Sequence, residues 1–322
     1  MNVLVLGSTG FIGTNLTNKL EGLDSRIFTG EAEGPSVNVV GTSKSLGVDL
    51  TDYNQTKQLI IDSNPQIIFN LASHGGSLHY VKERASDVIN DNIQMTLNIY
   101  KAMAEAGCTA TLIQPFSNCS YPGGTQVQLE ESWLKGPVHD SIFSFGNSKR
   151  TIYYISKCYL MQHNIKTINL LLPNTYGPGD SLDPNHTHAL NGMIIRMLQA
   201  KKAGDKQFTV WGTGRPVREW CYVEDFTDAL IRAYQLTSTT YGETAMPLNI
   251  GQARGYSIGE SAQLIKKAIG FDGDIVFDTS YTDGDATKIL GNKVISQWWP
   301  DFTFFDHEQG IVNTVKYYED KV

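Results

Sequence analysis

The chain has 322 residues and a formal net charge of -7. This length allows a large buried core, and the acidic balance argues against a general nucleic-acid binder. No apolar run reaches the roughly 18 residues that a membrane span needs, and the first predicted strand begins too close to Met1 for a signal peptide. The composition therefore favours a soluble, cytoplasmic protein that binds neither nucleic acid nor membranes. No metal site and no disulfide framework are expected, because the four cysteines lack the necessary spacing or number: Cys108, Cys119, Cys158 and Cys221.

Short apolar runs alternate with helical patterns through the first half of the chain. Such alternation is typical of an α/β protein with a doubly wound parallel sheet of the Rossmann type. The predicted strands cover residues 2–6, 37–40, 66–71, 110–114 and 167–172, and the predicted helices cover about 7–20, 92–106 and 144–162.

The pattern changes after Pro173. Pro, Gly, Asp, Asn and His crowd residues 173–188 and predict a long functional loop, followed by a helix over 189–203 and a strand over 208–211. The last seventy or so residues mix short helices and strands, which indicates a smaller C-terminal α/β lobe for the substrate. We expect a dinucleotide-binding domain of residues 1–175, with 221–252 returning to it, and a substrate lobe of residues 176–220 and 253–322.

Three glycines follow the first strand and open a helix: Gly7, Gly10 and Gly13. The first permits a tight turn, the second lets the backbone approach a pyrophosphate, and the third allows close helix–sheet packing. The helix N-terminus adds free N–H groups and a positive dipole for the phosphates. The spacing predicts a dinucleotide site, which also includes the intervening Thr9, Phe11 and Ile12.

The end of the second strand indicates which dinucleotide binds. An acid there bonds the ribose 2′-hydroxyl, whereas basic and hydroxyl groups suit a 2′-phosphate. Residues 41–44 contain no acid, so NADP is favoured, with NAD as the alternative. Asp49 and Leu50 are expected to line the adenine site, the alternative being an ordinary turn aspartate.

Phe145 and Lys149 have the spacing of the catalytic Tyr-x-x-x-Lys pair of dehydrogenases. Positions i and i+4 share a helix face, so a lysine there can hold the cofactor ribose and lower the pKa of a neighbouring phenol. Phenylalanine keeps the ring and loses the proton. Tyr153 and Lys157 repeat the spacing, but in the dehydrogenases that this pattern resembles the lysine is followed by a full helix, a turn and a strand, for which Lys157 leaves too little chain before Pro173. The pair is therefore assigned to Phe145 and Lys149.

From Gly7 to about Lys288 the chain resembles the extended short-chain dehydrogenases that modify nucleotide sugars, and within them it looks most like the GDP-L-fucose synthase branch. The matches arrive in the family's order. They are residues 70–76 (Ala-Ala-x-x-Gly-Gly), 117–122 (Ser-Ser-Cys-x-Tyr-Pro), 173–178 (Pro-Asn-x-Tyr-Gly-Pro), the loop 180–188, and 211–214 with Arg218 and Glu219 (Trp-Gly-x-Gly…Arg-Glu).

The resemblance implies roles for the matched residues. Ser117 would hydrogen-bond the substrate oxygen, and Cys119 and His188 would be the base and acid of an epimerisation. The alternatives are a backbone-capping serine, a small buried thiol and a surface imidazole, and His186 competes for the acid role. A homodimer built on helices 92–106 and 145–162 is also implied. Cofactor contacts are implied at Leu71, Ala72, Ser73, Lys149, Pro173 and Asn174, and substrate contacts at Asn174, Arg196, Trp211, Arg218 and Lys288.

These residues predict an NADP-dependent nucleotide-sugar 4-ketoreductase, with or without 3,5-epimerase activity, whose substrate is an NDP-linked (GDP-like) 4-keto-6-deoxyhexose. Phe145 allows three interpretations: a substitution introduced into an ordinary reductase, a natural residue in an enzyme that epimerises without reducing, or an inactive NADP-binding module. The intact Ser117, Cys119, Lys149 and His188 favour the first, with the second close behind. A dehydratase or simple 4-epimerase with bound NAD is a further alternative, although residues 117–119 lack the Thr-Asp-Glu of such dehydratases.

Overall fold

The computed structural model describes residues 1–29 and 34–322. The strands of these residues form one sheet of six strands and three small sheets. In chain order they are β1 (Asn2–Leu6), β2 (Asn38–Thr42), β3 (Ile67–Asn70), β4 (Thr111–Ser117), β5 (Thr167–Leu172), β6 (Asn174–Tyr176), β7 (Gln207–Trp211), β8 (Val217–Arg218), β9 (Trp220–Tyr222), β10 (Leu248–Asn249), β11 (Tyr256–Ser257), β12 (Asp274–Asp278) and β13 (Thr287–Lys288).

The helices lie mainly between the strands, and several carry clear end signals. Ser257 and Glu260 form a capping box at one N-terminus, and Gly107 ends the longest helix in a left-handed conformation. Short 3₁₀ turns cover Lys44–Leu46, Asn118–Ser120, Glu130–Ser132, Asp140–Ile142 and Ala233–Ser238. The α-helices are α1 (Phe11–Leu20), α2 (Arg26–Thr29), α3 (Tyr53–Ser63), α4 (Leu78–Glu83), α5 (Ala85–Ala106), α6 (Phe143–His163), α7 (Ala189–Ala203), α8 (Val223–Arg232), α9 (Thr240–Thr244), α10 (Ile258–Ile269), α11 (Lys293–Trp298) and α12 (His307–Glu319).

The large sheet is parallel, with the order β10-β5-β4-β3-β1-β2. Successive side chains of a strand point to opposite faces, and β1 shows this directly. Val3 and Val5 pack into a core with α1 and α8, whereas Leu4 and Leu6 pack into a second core with α3 and α5. Helices thus cover both faces, and the predicted doubly wound Rossmann-type sheet is confirmed.

The strand order reverses direction between β1 and β3. In open α/β sheets, ligands bind outside the carboxyl ends of the strands at such a switch point. The loops that follow β1 at Gly7 and β3 at Leu71 meet there. The fold therefore places the candidate site at this edge of the sheet.

A third core belongs to the later part of the chain. It joins α7, α10 and α12 to the two-stranded sheet of β7 and β12. Between its parts the chain returns to the large sheet, because β10 pairs with β5 and α8 packs on α1. The domain boundaries given above remain a prediction.

Four differences from the predicted element bounds matter for the site. β2 runs two residues further, to Thr42, and β4 continues through Pro115 to Ser117 because Phe116 is buried against Trp133. The helix expected over 92–106 begins at Ala85. The predicted loop 173–188 opens with β6, which pairs with β9. Among the described residues, no helix combines the length and the apolar character that a bilayer crossing requires.

Candidate active site

The glycine-rich turn after β1 has the shape that a dinucleotide needs. Gly7 has φ +81°, and a β-carbon added there would lie 2.8 Å from the backbone nitrogen of Ala72. A β-carbon on Gly13 would lie 2.0 Å from the carbonyl oxygen of Gly7. Gly10 is the N-cap of α1 and has no side chain that caps the helix. The first N–H groups of α1 therefore stay available for a pyrophosphate, and the residues fit the predicted cofactor.

Hydroxyl groups crowd the end of β2. Ser45 Oγ lies 3.0 Å from Thr9 Oγ1 and 2.9 Å from Ser43 Oγ. Lys44 pairs with Asp49 at 2.7 Å, and this hydrogen bond, together with those from Thr51, lowers the pKa of Asp49 to about 2. The Asp49 carboxylate is thus already engaged, and its contact with adenine stays a prediction, as does that of the buried Leu50.

The loop after β3 is held by one buried amide. Asn92 Oδ1 accepts hydrogen bonds from Ser73 Oγ at 3.0 Å and from the backbone of His74 at 2.9 Å, and its Nδ2 donates to the carbonyl of His74 at 2.7 Å. Ser73 in turn lies 3.4 Å from Lys149 Nζ. Leu71 and Ala72 precede it beside the glycine-rich turn. The loop and α6 thus meet at the predicted ribose position, and Asn92 was missed by the sequence interpretation.

Phe145 and Lys149 share one face of α6, as their spacing predicts. Lys149 Nζ lies 5.2 Å from the centre of the Phe145 ring. Burial lowers the pKa of Lys149 to about 8. Tyr153 is buried instead, with its hydroxyl 3.0 Å from Met246 Sδ and its ring against Trp133. Its hydroxyl is thus engaged away from Lys149, in agreement with the rejection of the second Tyr-x-x-x-Lys match.

Ser117 and Cys119 lie at the carboxyl end of β4. Ser117 Oγ accepts a hydrogen bond of 3.1 Å from the backbone of Cys119, so it also caps the following 3₁₀ turn. Lys288 Nζ lies 3.3 Å from Cys119 Sγ, and Arg218 is the register partner of Lys288 in the neighbouring strand. Burial raises the pKa of the Cys119 thiol. The charges of Lys288 and Arg218 and the Ser117 hydroxyl together outweigh it, so the net shift is downward.

His188 is held by a carboxylate that the sequence interpretation did not single out. Its Nδ1 lies 3.1 Å from Asp180 Oδ2, which also accepts from the His188 backbone at 2.7 Å and from Asn191 Nδ2 at 2.9 Å. Its ring lies on Phe11, with centres 5.3 Å apart. The loop therefore orients His188 beside the start of α1. The competitor His186 pairs with the exposed Asp183 instead.

Aromatic and basic side chains form a stack on the other lobe. The Arg196 guanidinium lies 4.3 Å from the centre of the Trp211 ring, and Trp211 stacks on Tyr281 at 5.1 Å. Both rings are about half exposed, at 52% and 50%. Such a surface can hold a planar base and a phosphate. Tyr281 was not predicted, because it lies in a loop far along the chain.

Asn174 and Glu219 join β6 to the segment between β8 and β9. The backbone and the side chain of Asn174, next to Pro173, both donate to the carbonyl of Glu219 at 3.3 Å. The Glu219 carboxylate accepts from the backbones of Gln252 and Leu290, the latter at 2.7 Å, and burial raises its pKa to about 7. The Glu219 carboxylate thus holds two backbone segments together. The charge of its neighbour Arg218 instead acts on the Cys119 thiol.

No metal site is evident across residues 1–29 and 34–322, since no cluster of three candidate ligands occurs there. The four cysteines, all of which lie in these ranges, are free.

Known proteins with the same organisation cover nearly the whole chain. A rice (Oryza sativa subsp. japonica) probable GDP-L-fucose synthase 1 is 29% identical over 99% of this chain and 92% of its own. A GDP-L-colitose synthase of Yersinia pseudotuberculosis is 25% identical, over 99% and 98%. A crystal structure of a Naegleria fowleri GDP-L-fucose synthetase bound to NADP superimposes with a TM-score of 0.83 at 26% identity, covering 99% of this chain and 92% of that one.

The family model for the NAD dependent epimerase/dehydratase family matches residues 3–251. That range includes the glycine-rich turn, the end of β4, the Phe145–Lys149 pair and the loop of His188. The predicted resemblance is confirmed: the chain belongs to the NAD dependent epimerase/dehydratase family.

Proposed function

We propose that the chain is an NADP-dependent nucleotide-sugar epimerase/reductase that acts on a GDP-linked 4-keto-6-deoxyhexose. The observation that carries this proposal is the contact of Lys288 with the Cys119 thiol, 3.3 Å apart, at the carboxyl end of β4. A thiol with a lowered pKa suits the removal of an acidic C–H proton beside a carbonyl. It has no evident purpose in a protein that only binds a dinucleotide.

The residues that would hold the cofactor are the glycine-rich turn, the loop after β3 and Lys149. NADP is the natural choice because β2 ends in hydroxyl groups and Lys44, with no acid over residues 41–45 to bond a ribose 2′-hydroxyl. The NADP-bound Naegleria fowleri relative supports this choice. When bound, the cofactor supplies a hydride to C4 of the sugar.

Epimerisation would use Cys119 and His188. The Cys119 thiolate takes a proton from the carbon next to the ketone, and His188, oriented by Asp180, returns one. The two side chains belong to different surroundings, since Cys119 lies against Lys288 and His188 lies against Phe11. Inversion requires that the two groups act from opposite faces of the sugar ring.

Reduction would use Ser117 to hydrogen-bond the C4 oxygen, while Phe145 has no proton to give. Arg196, Trp211, Arg218 and Asn174 would hold the nucleotide and its diphosphate, with Lys288 between thiol and sugar. We expect binding and epimerisation to survive and reduction to be weak. Phe145 therefore favours, as a second candidate, an epimerase that reduces little or not at all.

A homodimer formed through α5 and α6 accompanies this proposal. Leu97 on α5 and Tyr154 and Met161 on α6 are exposed apolar side chains, with Met161 82% exposed. Apolar side chains on two neighbouring helices suit an isologous contact between copies. Sedimentation at several protein concentrations would test it, and a monomer at all of them would count against it.

The central experiment compares the chain with Phe145→Tyr, using NADPH and GDP-4-keto-6-deoxymannose in deuterated water. Restoring the acid should raise the rate of NADPH consumption about 10²–10⁴-fold. Deuterium should enter C3 and C5 in both proteins and disappear in Cys119→Ser. The proposal fails if neither protein consumes NADPH or incorporates deuterium with this substrate.

A further inference from the structure

A hydrogen-bonded chain of three side chains lies beside Phe145. Asp91 Oδ2 is 2.7 Å from His74 Nδ1, and His74 Nε2 is 2.8 Å from Tyr80 Oη. A carboxylate on one ring nitrogen fixes the orientation of an imidazole, and the other nitrogen can then exchange a proton with the phenol. The backbone of His74 is fixed by Asn92 at both its N–H and its carbonyl. The three groups are thus held in line.

Tyr80, the last member of this hydrogen-bonded series, contacts the same loop as Phe145, the residue that lacks the catalytic hydroxyl. A β-carbon on Gly75 would lie 3.2 Å from Phe145 Cε2, and one on Gly76 would lie 2.7 Å from Tyr80 Cδ1. Consecutive Cα atoms are about 3.8 Å apart, so the two rings cover adjoining positions of one loop. The ring without a hydroxyl and the ring with one therefore contact consecutive residues of this loop, and both pack against one apolar cluster.

Tyr80 lies near residues of the candidate active site. Its ring lies 5.3 Å from that of His186, in the loop that carries His188. The Gly76 position also faces the carbonyl of Asn185 in that loop. Tyr80, Phe145 and Cys119 all pack against the same small cluster of Val81, Val88, Val138 and Ile142. Tyr80 thus lies between the two loops, within the same group of side chains as the thiol.

We propose that Tyr80 donates the proton to the C4 oxygen in the reduction that remains with Phe145, and that His74 and Asp91 position and recharge it. This inference rests on the proposed function. It assigns to this chain a second phenol, supplied by α4 instead of α6.

The step balances as follows. The new C–H bond at C4 would take its electron pair from the hydride that a bound cofactor supplies, so the ketone would be reduced and the cofactor oxidised. The C4 oxygen takes the proton of Tyr80, and Tyr80 Oη takes the proton on Nε2 of a doubly protonated His74, which becomes neutral and keeps its Nδ1–H toward Asp91. His74, whose side chain is 21% exposed, regains a proton from water while Asp91 keeps its Nδ1–H in place.

The test is a comparison of Tyr80→Phe in two backgrounds, the chain itself and Phe145→Tyr. In the chain itself the change should lower kcat for NADPH oxidation about tenfold or more, because it removes the remaining acid. In the Phe145→Tyr background it should cost no more than about twofold, because the second acid is then redundant. Tyr317→Phe, on α12, is the matched control and should change neither rate.

His74→Gln and Asp91→Asn test the positioning residues. Each should lower kcat in the chain itself and leave KM for the sugar unchanged, and each effect should shrink when Phe145→Tyr is present. A purely structural role would give the same loss in both backgrounds. The inference is overturned if Tyr80→Phe has equal effects in the two backgrounds, or if the chain itself shows no reduction above that of Tyr80→Phe.

The two proposals fail separately. The proposed function is tested by Phe145→Tyr alone, whose NADPH consumption does not depend on Tyr80. If Phe145→Tyr is active and Tyr80→Phe changes nothing in either background, the relay is wrong and the function stands. NADPH binding, followed by fluorescence, should be equal in all variants, which confirms that each one is folded.

Discussion

The ammonium group of Lys288 lies 3.3 Å from the sulfur of Cys119, although the two residues are 169 positions apart. Lys288 comes from β13 and Cys119 from the turn after β4, so the pair joins the lobe to the large sheet. The charge stabilises the thiolate, which counteracts the effect of burial on the pKa of the thiol. The base of the proposed epimerisation thus exists only when the lobe is in place.

Lys288→Met should make the Cys119 thiol less acidic. Without the positive charge, burial dominates and the thiol pKa rises, so less thiolate is present at neutral pH. Iodoacetamide labelling of the Cys119 peptide, followed by mass spectrometry across pH, would show a slower reaction and a midpoint at higher pH. Lys293→Met, which removes an exposed lysine nearby, is the control. An unchanged labelling midpoint would remove the main support for the epimerase assignment.

Lys149→Met should stabilise the cofactor-free protein at neutral pH while weakening cofactor binding. Burial lowers the pKa of Lys149 from 10.5 to about 8, so the native state holds a charge it disfavours. The penalty is full below about pH 8 and vanishes above the unfolded value near 10.5. By linkage it amounts to about 3 kcal/mol.

Urea unfolding at pH 7 and above pH 10.5 tests this prediction. The variant should be more stable than the parent at pH 7 and equal to it at the higher pH, while Lys316→Met, exposed on α12, should change little at either. A variant that is less stable at pH 7 would show that Lys149 is not a buried, uncompensated charge.

Asp180→Asn should reduce epimerisation more than cofactor binding. The carboxylate holds His188 through Nδ1 and through the backbone N–H, and an amide cannot balance an imidazolium. Deuterium incorporation into the sugar should fall about 10²-fold, whereas the dissociation constant for NADPH should stay unchanged. Asp183→Asn, which removes only the exposed partner of His186, is the control. Equal losses in the two variants would favour His186 as the acid.

Asp180→Asn should also change how the stability of the protein depends on pH under acidic conditions. Burial raises the pKa of Asp180. The hydrogen bonds and charge of His188 and the amide of Asn191 lower this pKa by more than burial raises it, so it lies below 3.8. A depressed carboxyl pKa contributes stability above the unfolded value, and this is lost as pH falls through the native one. Denaturant midpoints between pH 6 and pH 3 should therefore fall more steeply in the parent than in Asp180→Asn.

Trp211→Ala should weaken the binding of the nucleotide portion. The half-exposed ring contacts both the Arg196 guanidinium and Tyr281, and a stacked base contributes about 1–3 kcal/mol. Calorimetry with GDP should show a corresponding loss of affinity and unchanged NADPH binding. Trp298→Ala removes another partly exposed tryptophan and should leave GDP affinity intact. A loss of both affinities would instead indicate a general loss of structure.

The dinucleotide turn was predictable because its requirements are local. Gly7, Gly10 and Gly13 lie within one strand–helix turn, where Gly7 has φ +81° and Gly13 packs closely on the carbonyl of Gly7. The Phe145–Lys149 pair was predictable for the same reason, since helical spacing alone puts both on one face.

Contacts between distant segments were not predictable from patterns. The roles of Cys119, His188 and Lys288 came from resemblance, because no spacing connects β4 to β13 or the loop of residues 177–188 to α1. Asp91, His74 and Tyr80 carry no motif, and only the folded loop after β3 brings them into line. β4 was predicted to end at residue 114, but it continues through Pro115 to Ser117, with Phe116 buried.

Asn92 gives the loop of residues 71–77, which has no regular structure, the rigidity of a helix. Its amide, 2% exposed, bonds Ser73 once and His74 twice from within α5. The conformational entropy of this loop is therefore lost when the protein folds and not when a ligand binds. A nucleotide sugar that enters the cleft meets a surface already in its final shape, and more of its contact energy remains for affinity.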